Sequence, residues 1–225
     1  MRGLEQALRQ GLVDLALVLD DAQITQLLDY LGLIQKWTRV YNLTALRDPT
    51  EMLTHHLLDS LAVIRPLRTQ LASQAQSVTD AVSPSAMRLL DVGSGAGLPG
   101  VVIAICCPEI TVHCVDAVAK KAAFIQQVAA TLKLPKLRGL HARVESLTDT
   151  YEVISSRAFA SLPDFVTGSG AALAGQGVWL AMKAKYPAGE IAALPAGVEV
   201  FHVEQLAVPG LDAERCIVWM RKSAV

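Results

Sequence analysis

The residues best suited to chemistry stand in one short run, "LLDVGSGAGLPGVVIAI", residues 89–105. Two frames can be laid on it. Gly95, Gly97 and Gly100 spell G-x-G-x-x-G, the spacing that brings a backbone close to a dinucleotide pyrophosphate. Asp91, Gly93, Gly95 and Gly97 spell D-x-G-x-G-x-G, which suits an adenosyl ligand with no pyrophosphate. The first frame belongs to hydride transfer, the second to methyl transfer. Both need glycine because the chain must turn sharply and admit a ligand where a Cβ would collide.

Three features separate the frames. A carboxylate at Asp91, at the strand end beside the ligand, would repel a dianionic pyrophosphate and attract the ammonium and sulfonium groups of S-adenosylmethionine. Leu98-Pro99 removes a backbone N–H from the start of the next helix, where a pyrophosphate wants donors. An antiparallel hairpin at the C-terminus is unlike the repeated halves of a dinucleotide domain. Asp116, about 20 residues beyond the turn and placed to meet ribose hydroxyls, fits either frame. The balance favours S-adenosylmethionine, with an NAD-dependent oxidoreductase as the alternative.

No nucleophile elbow, metal cluster or telling Cys–His spacing accompanies the turn. That pattern agrees with transfer to a lone-pair acceptor, which needs no general base. It agrees equally with a non-catalytic RNA-binding module that keeps the pocket.

The elements that must position the turn follow from periodicity. With 52% hydrophobic and 18% charged residues, the chain of 225 supports a sizeable core and excludes global disorder. No apolar run approaches the roughly 18 residues of a membrane span, and Glu5, Arg9 and Asp14 interrupt any signal-like start. A cytoplasmic protein is expected, with Cys106, Cys107, Cys114 and Cys216 as reduced core residues. Net charge is −1, yet Lys120, Lys121, Lys133, Lys136, Arg138 and Arg143 fall in a stretch without one acidic residue. That stretch reads as a phosphate-steering face or as a solvated helix and its flank.

Residues 1–68 read as a helical extension. Ile24, Leu27, Leu28, Leu31, Ile34, Trp37 and Tyr41 form one stripe, opened by a capping box at Asp20 and Gln23. Asp48 and Pro49 open a further helix running to about Ile64, with Pro66 beyond it. Residues 69–86 read as a connector with room for a helical turn. From residue 87 to 225, strands and helices alternate, which implies a mostly parallel, doubly wound α/β sheet of seven strands. Only "AVPGLDA" separates the last two strands, too little for a helical crossover, so they pair as an antiparallel hairpin.

"YNLTALRDPTEMLTHHLLDS", "LLDVGSGAGLPG", "ARVESL", "ISSRAFASL" and "VPGLDAER" occur in that order. Together they resemble the bacterial ribosomal RNA small subunit methyltransferase G family, also called glucose-inhibited division protein B, from about residue 20 to 221. The resemblance implies a Rossmann-like class I S-adenosylmethionine-dependent methyltransferase that modifies N7 of one guanine of 16S rRNA. It implies 16S rRNA or the small ribosomal subunit as partner; the lack of an apolar span argues against a membrane, and nothing in the sequence demands more than a monomer. Carried over by position, Gly93 and Leu98 are cofactor contacts, and Val144 and Glu145 lie on the adenine side. Arg157 stands by the cofactor and the substrate entrance. The departures are His55, where the family commonly has a basic residue, and a long 69–86 connector.

Guanine N7 carries no proton, so the protein must supply proximity, orientation and support for a purine that gains positive charge. Arg157, Lys183 and His56 are the candidates for positioning the substrate. Asp91, Gly93, Gly95, Gly97, Leu98, Asp116, Val144, Glu145 and Arg157 are those for the cofactor. Arg39, Lys120, Lys121 and Phe159 are the candidates for RNA contact, Phe159 as a stacking platform. Asn42 and Asp59 read as links between extension and domain.

Overall fold

Asp20 and Gln23 decide where the extension meets the rest of the molecule. Asp20 Oδ1 accepts from the Gln23 backbone N–H at 2.8 Å, and Gln23 Oε1 accepts from the Asp20 N–H at 3.1 Å, closing the expected capping box. The same Gln23 amide donates to the Ile105 carbonyl at 2.9 Å, so one side chain caps two helices. The computed structural model describes residues 2–77, 87–157 and 161–223.

The extension begins with α1 (Arg2–Asp14) and α2 (Asp21–Tyr41). Asn42 ends α2 in the left-handed region at φ 50, a conformation its short polar side chain tolerates. Asp48 caps α3 (Pro49–Met52) through the N–H groups of Thr50 and Glu51. The helix then loosens into a π-helical turn (Leu53–Leu58) before α4 (Asp59–Leu61). A break at residues 62–63 precedes α5 (Ile64–Ser77), and Pro66 lies in its first turn, where its missing N–H is not needed. Two expectations therefore change. Pro66 starts a helix and does not merely follow one, and the 69–86 connector is helical through Ser77. The rest of that connector lies outside the described residues.

Seven strands form one sheet in the order β3-β2-β1-β4-β5-β7-β6. They are β1 (Arg88–Val92), β2 (Thr111–Asp116), β3 (Leu137–His141), β4 (Tyr151–Ser156), β5 (Leu173–Lys183), β6 (Val198–Gln205) and β7 (Cys216–Lys222). β1 to β5 pair in parallel, and β7 runs antiparallel to both β5 and β6. The helices between them are α6 (Gly100–Cys106), α7 (Ala119–Thr131), α8 (Leu162–Ser169) and α9 (Ala188–Ala192). The doubly wound sheet with a C-terminal hairpin is as the strand spacing predicts. Strand order reverses across β1, which has β2 on one side and β4 on the other, and such switch points hold ligands at the carboxyl ends of strands.

The extension shares the main core. Leu27, Tyr30 and Ile34 of α2 are fully buried in one cluster with Val101, Phe124 and Ile125 of α6 and α7. Burial of each such side chain stabilises by about 1.5–3 kcal/mol. Gln26 Nε2 donates to the Leu132 carbonyl at 2.9 Å, and Arg68 Nη2 to the Cys106 carbonyl at 2.7 Å. These bonds satisfy carbonyls at helix ends that would otherwise lack a partner. All four cysteines are free and buried. Trp179 and Trp219 are core residues, and Trp37, half-buried, packs its ring against Tyr41 and Phe124.

Candidate active site

The turn after β1 is built from left-handed glycines, with φ of 65, 59 and 90 at Gly93, Gly95 and Gly97. The Gly93 N–H donates to the Val115 carbonyl at 2.9 Å, and the Gly95 N–H to Asp116 Oδ2 at 3.1 Å, so the turn is fastened to β2. A Cβ at Gly95 would meet nothing nearer than the Gly93 carbonyl at 4.0 Å. Gly95 thus faces open space, whereas a Cβ on Gly97 would stand 2.5 Å from Val101 Cγ2 and 3.3 Å from the Tyr30 hydroxyl. One glycine borders open space and the other makes room for the protein's own core. Leu98 is buried behind the turn, ahead of a cis peptide to Pro99.

A cleft of about 270 Å³ opens there, lined by Val92, Gly93, Asp116, Arg143, Val144 and Glu145 among others. Val144 is buried and Glu145 exposed on a short 3-10 turn after β3. Asp116 is nearly buried. Its Oδ1 accepts from the Val118 N–H at 2.9 Å, and Lys121 Nζ lies 3.4 Å from Oδ2. A larger groove, about 480 Å³, lies between α1, α5 and β6 beside Arg65, His202 and Glu204, without a glycine turn.

Asp91 differs from its expected role. It has no exposed surface, its Oδ2 accepts from the Gly100 N–H at 3.0 Å, and its Oδ1 accepts from Ser155 Oγ at 2.9 Å. The carboxylate therefore clamps β1, β4 and the start of α6 together, and does not present itself to a ligand ammonium group. Burial pushes its pKa up to about 7, against the lowering effect of those two hydrogen bonds. Gly100 is likewise a packing residue, since a Cβ there would stand 2.4 Å from Cys114 Sγ. The third glycine of the dinucleotide frame is thus explained without a pyrophosphate.

Across the switch point, Arg157 follows β4. Its Nη1 donates to Asp59 Oδ2 at 3.0 Å and to the His55 carbonyl at 2.9 Å. Arg215, just before β7, donates from Nε to Asp59 Oδ1 at 2.8 Å. Lys183 ends β5 and lies 2.7 Å from Glu190 Oε2, which also accepts from the Leu162 N–H. His56 is buried in the π-helical turn with Nε2 2.8 Å from Thr44 Oγ1. Burial, helped by the positive charge of Arg157, pushes His56 down to about 4, so it is neutral at physiological pH.

Arg39, Lys120 and Lys121 lie on α2 and α7, with Arg39 and Lys120 exposed. Arg47 donates to Asn42 Oδ1 and to the Thr44 carbonyl, so both are tied within the extension. Phe159 lies outside the described residues. Among the described residues no cluster of His, Cys, Asp and Glu could hold a metal ion, and no helix is long and apolar enough to cross a membrane.

A family model described as GidB, rRNA small subunit methyltransferase G, matches residues 23–218. The chain belongs to the ribosomal RNA small subunit methyltransferase G family. A curated methyltransferase G from Albidiferax ferrireducens is 75% identical over 225 residues, covering 100% of each chain. One from a Polaromonas species is 68% identical, covering 100% of this chain and 96% of that one. Among solved structures, a SAM dependent methyltransferase from Aquifex aeolicus superposes with a TM-score of 0.51 at 13% identity, covering 77% of this chain and 93% of that one. TrmN from Thermus thermophilus gives 0.52 at 20% identity, covering 69% of this chain and 48% of that one. These structural likenesses bear on the fold. Family membership sets aside the oxidoreductase alternative.

Within this methyltransferase G chain, sequence reasoning missed three residues at the site. Ser155 carries a clear signal only in retrospect, as the hydroxyl beside Asp91 on the neighbouring strand. Tyr30 falls between Leu27 and Leu31 on the buried face of α2, where a phenol needs a partner. Arg215 ends "VPGLDAER", and its link to Asp59 spans 156 residues, beyond any local pattern.

Proposed function

We propose that this protein transfers the methyl group of S-adenosylmethionine to N7 of one guanine of 16S rRNA, in free RNA or in the small ribosomal subunit, in the cytoplasm. The observation that carries the reading is the juxtaposition at the switch point. An open glycine turn and cleft lie on the β1–β3 side, and the cationic side chain of Arg157 lies on the β4 side.

The residues fit the cofactor. Gly95 leaves open space at the turn that a side chain would fill, Gly93 and Gly97 give the turn its left-handed path, and Leu98 is packed behind it. Asp116 keeps lone pairs for ribose hydroxyls beyond its two backbone partners, and Val144 and Glu145 form the wall for the adenine. When bound, S-adenosylmethionine supplies an electrophilic methyl on a sulfonium. Guanine N7 offers a lone pair and no proton, so no base is required of the protein. Arg157 and Lys183 hold the nucleotide from the carboxyl ends of β4 and β5, and neutral His56 supports the π-helical turn whose His55 carbonyl fixes Arg157. Asp91 supports the turn from beneath. Arg39, Lys120 and Lys121 meet RNA phosphates, and Phe159 stacks on the extruded base.

The test incubates the protein with labelled methyl donor and small subunits, or free 16S rRNA, from cells lacking this methyltransferase. Label at a single guanine N7 is expected. Tight S-adenosylmethionine binding with no label on either substrate would leave a binding module, and calorimetric binding of NADH in its place would overturn the cofactor.

A further inference from the structure

Asp59 compensates two arginines that come from distant parts of the chain. It is 3% exposed, and its two oxygens face Arg157 Nη1 and Arg215 Nε at 3.0 and 2.8 Å. The remaining bonds of the pair go to backbone, from Arg157 Nη1 to the His55 carbonyl and from Arg215 Nη1 to the Glu214 carbonyl at 2.8 Å. Among the described residues this leaves Nε and Nη2 of Arg157, and Nη2 of Arg215, with no protein partner. Both side chains keep a window to solvent, at 21% and 22% exposure. One buried carboxylate between two guanidiniums leaves one uncompensated positive charge, in a setting where Coulomb forces are weakly screened.

The position of the pair is as telling as its charge. Cys216, next to Arg215, is paired with Lys183 at the end of β5, and Arg157 directly follows β4. The pair thus borders the carboxyl ends of the strands, on the opposite side of the switch point from the cofactor cleft. Lys183 is paired with its own carboxylate, Glu190, whereas the two arginines share the single carboxylate of Asp59. Forked guanidinium donors match phosphate oxygens, and a guanidinium remains charged at all relevant pH values.

From this geometry we propose that Arg215 and Arg157 form a two-arginine subsite for a backbone phosphate of the RNA at the reacting nucleotide, and that Asp59 is the positioning residue that aims both. The proposal rests on the RNA methyltransferase reading above. The phosphate is the second anion that completes the charge balance, and it fixes the nucleotide from its backbone while the cofactor turn stays untouched. Asp59 stands in α4 of the extension, Arg157 follows β4 and Arg215 precedes β7, so the subsite forms only when the extension is docked on the sheet.

Binding experiments on the full chain separate this from the underlying reading, because they need no turnover. For Arg215→Gln, affinity for 16S rRNA is expected to fall about tenfold and the slope of log affinity against log salt to shrink by about one, with S-adenosylmethionine affinity unchanged. Arg215→Lys is expected to keep the slope and recover only part of the affinity, since a point charge replaces a fork. Asp59→Asn keeps both arginines, so it is expected to keep the slope while lowering methylation through a higher KM for RNA. Unchanged RNA affinity and salt slope in Arg215→Gln would overturn the proposal. So would a loss of S-adenosylmethionine affinity with RNA binding intact. Wild-type protein that binds RNA with the expected salt dependence yet methylates nothing would instead sink the enzymatic reading and leave the phosphate subsite standing.

Discussion

The hydroxyl of Tyr30, on α2, donates a 2.6 Å hydrogen bond to the carbonyl of Ala96, inside the glycine turn. Tyr30 is fully buried, and 66 residues separate it from its acceptor. The extension therefore acts directly on the glycine turn, and is more than a cover for one side of the sheet.

Replacing Tyr30 by Phe removes only that hydroxyl. The turn carbonyl is then left buried without its donor, and a loss of about 1–3 kcal/mol in unfolding free energy is expected. S-adenosylmethionine affinity is expected to fall several-fold because the turn is less firmly held. Urea denaturation and calorimetry read the two effects separately. A variant with wild-type cofactor affinity would show that Tyr30 serves only the core.

Gly95 and Gly97 make an internal control for each other. Both have positive φ, so alanine costs about 1–2 kcal/mol at either from backbone strain. Gly97→Ala also drives a Cβ to 2.5 Å from Val101, whereas Gly95→Ala meets open space. The expected outcome is a clearly larger loss of thermal stability in Gly97→Ala than in Gly95→Ala, with Gly95→Ala still folded but impaired in cofactor binding. Equal melting temperatures would contradict the assignment of the two faces.

Stability against pH reflects two buried groups with opposite signs. His56 is held at about 4 in the folded chain against an ordinary 6.5, so the unfolded chain binds the extra proton between those values. Stability then rises with pH across that window, by at most about 3 kcal/mol. Asp91 is raised from 3.8 to about 7, so the folded chain binds the extra proton and stability falls with pH over nearly the same range. The wild type is expected to show a shallow dependence. Asp91→Asn is expected to unmask a rise with pH, and His56→Gln a fall. Denaturant titrations across this range check the signs, and parallel curves for all three proteins would refute both assignments.

Lys120 and Lys121 are adjacent in sequence but differ in setting. Lys121 approaches Asp116 at 3.4 Å, and Lys120 is exposed on the first turn of α7. Lys120→Glu is expected to weaken 16S rRNA binding and flatten its salt dependence without altering cofactor affinity. Lys121→Glu is expected to weaken both, because it sets a carboxylate against Asp116. Filter binding and calorimetry at several salt concentrations distinguish them, and identical behaviour would remove Lys121 from the cofactor side.

What the chain discloses locally, it disclosed well. The capping box at Asp20, the proline start at Asp48–Pro49 and the short link before β7 each follow from neighbours in sequence, and each forms as expected. Two departures came from forces that act across the fold. Asp91 reads as a ligand carboxylate because its burial depends on α6 and β4, which local spacing does not reveal. The π-helical turn at Leu53–Leu58 has no compositional marker, yet it contains His56 and the His55 carbonyl that holds Arg157. α8 was hidden too, since Gly168 and a length of eight residues give a weak periodic signal despite the Ser161 cap.

The setting of Cys114 bears on chemical selectivity. A sulfonium methyl reacts with any accessible thiolate, and thiolates are stronger nucleophiles than a guanine ring nitrogen. Cys114 lies under the glycine turn, next to Asp91 and against Gly100, and it is fully enclosed. Burial pushes its thiol well up, the neighbouring carboxylate adds to the effect, and the sulfur stays protonated. The other three cysteines are pushed up by burial as well. Enclosed and held protonated by burial, the four thiols offer no exposed thiolate to an electrophilic methyl group.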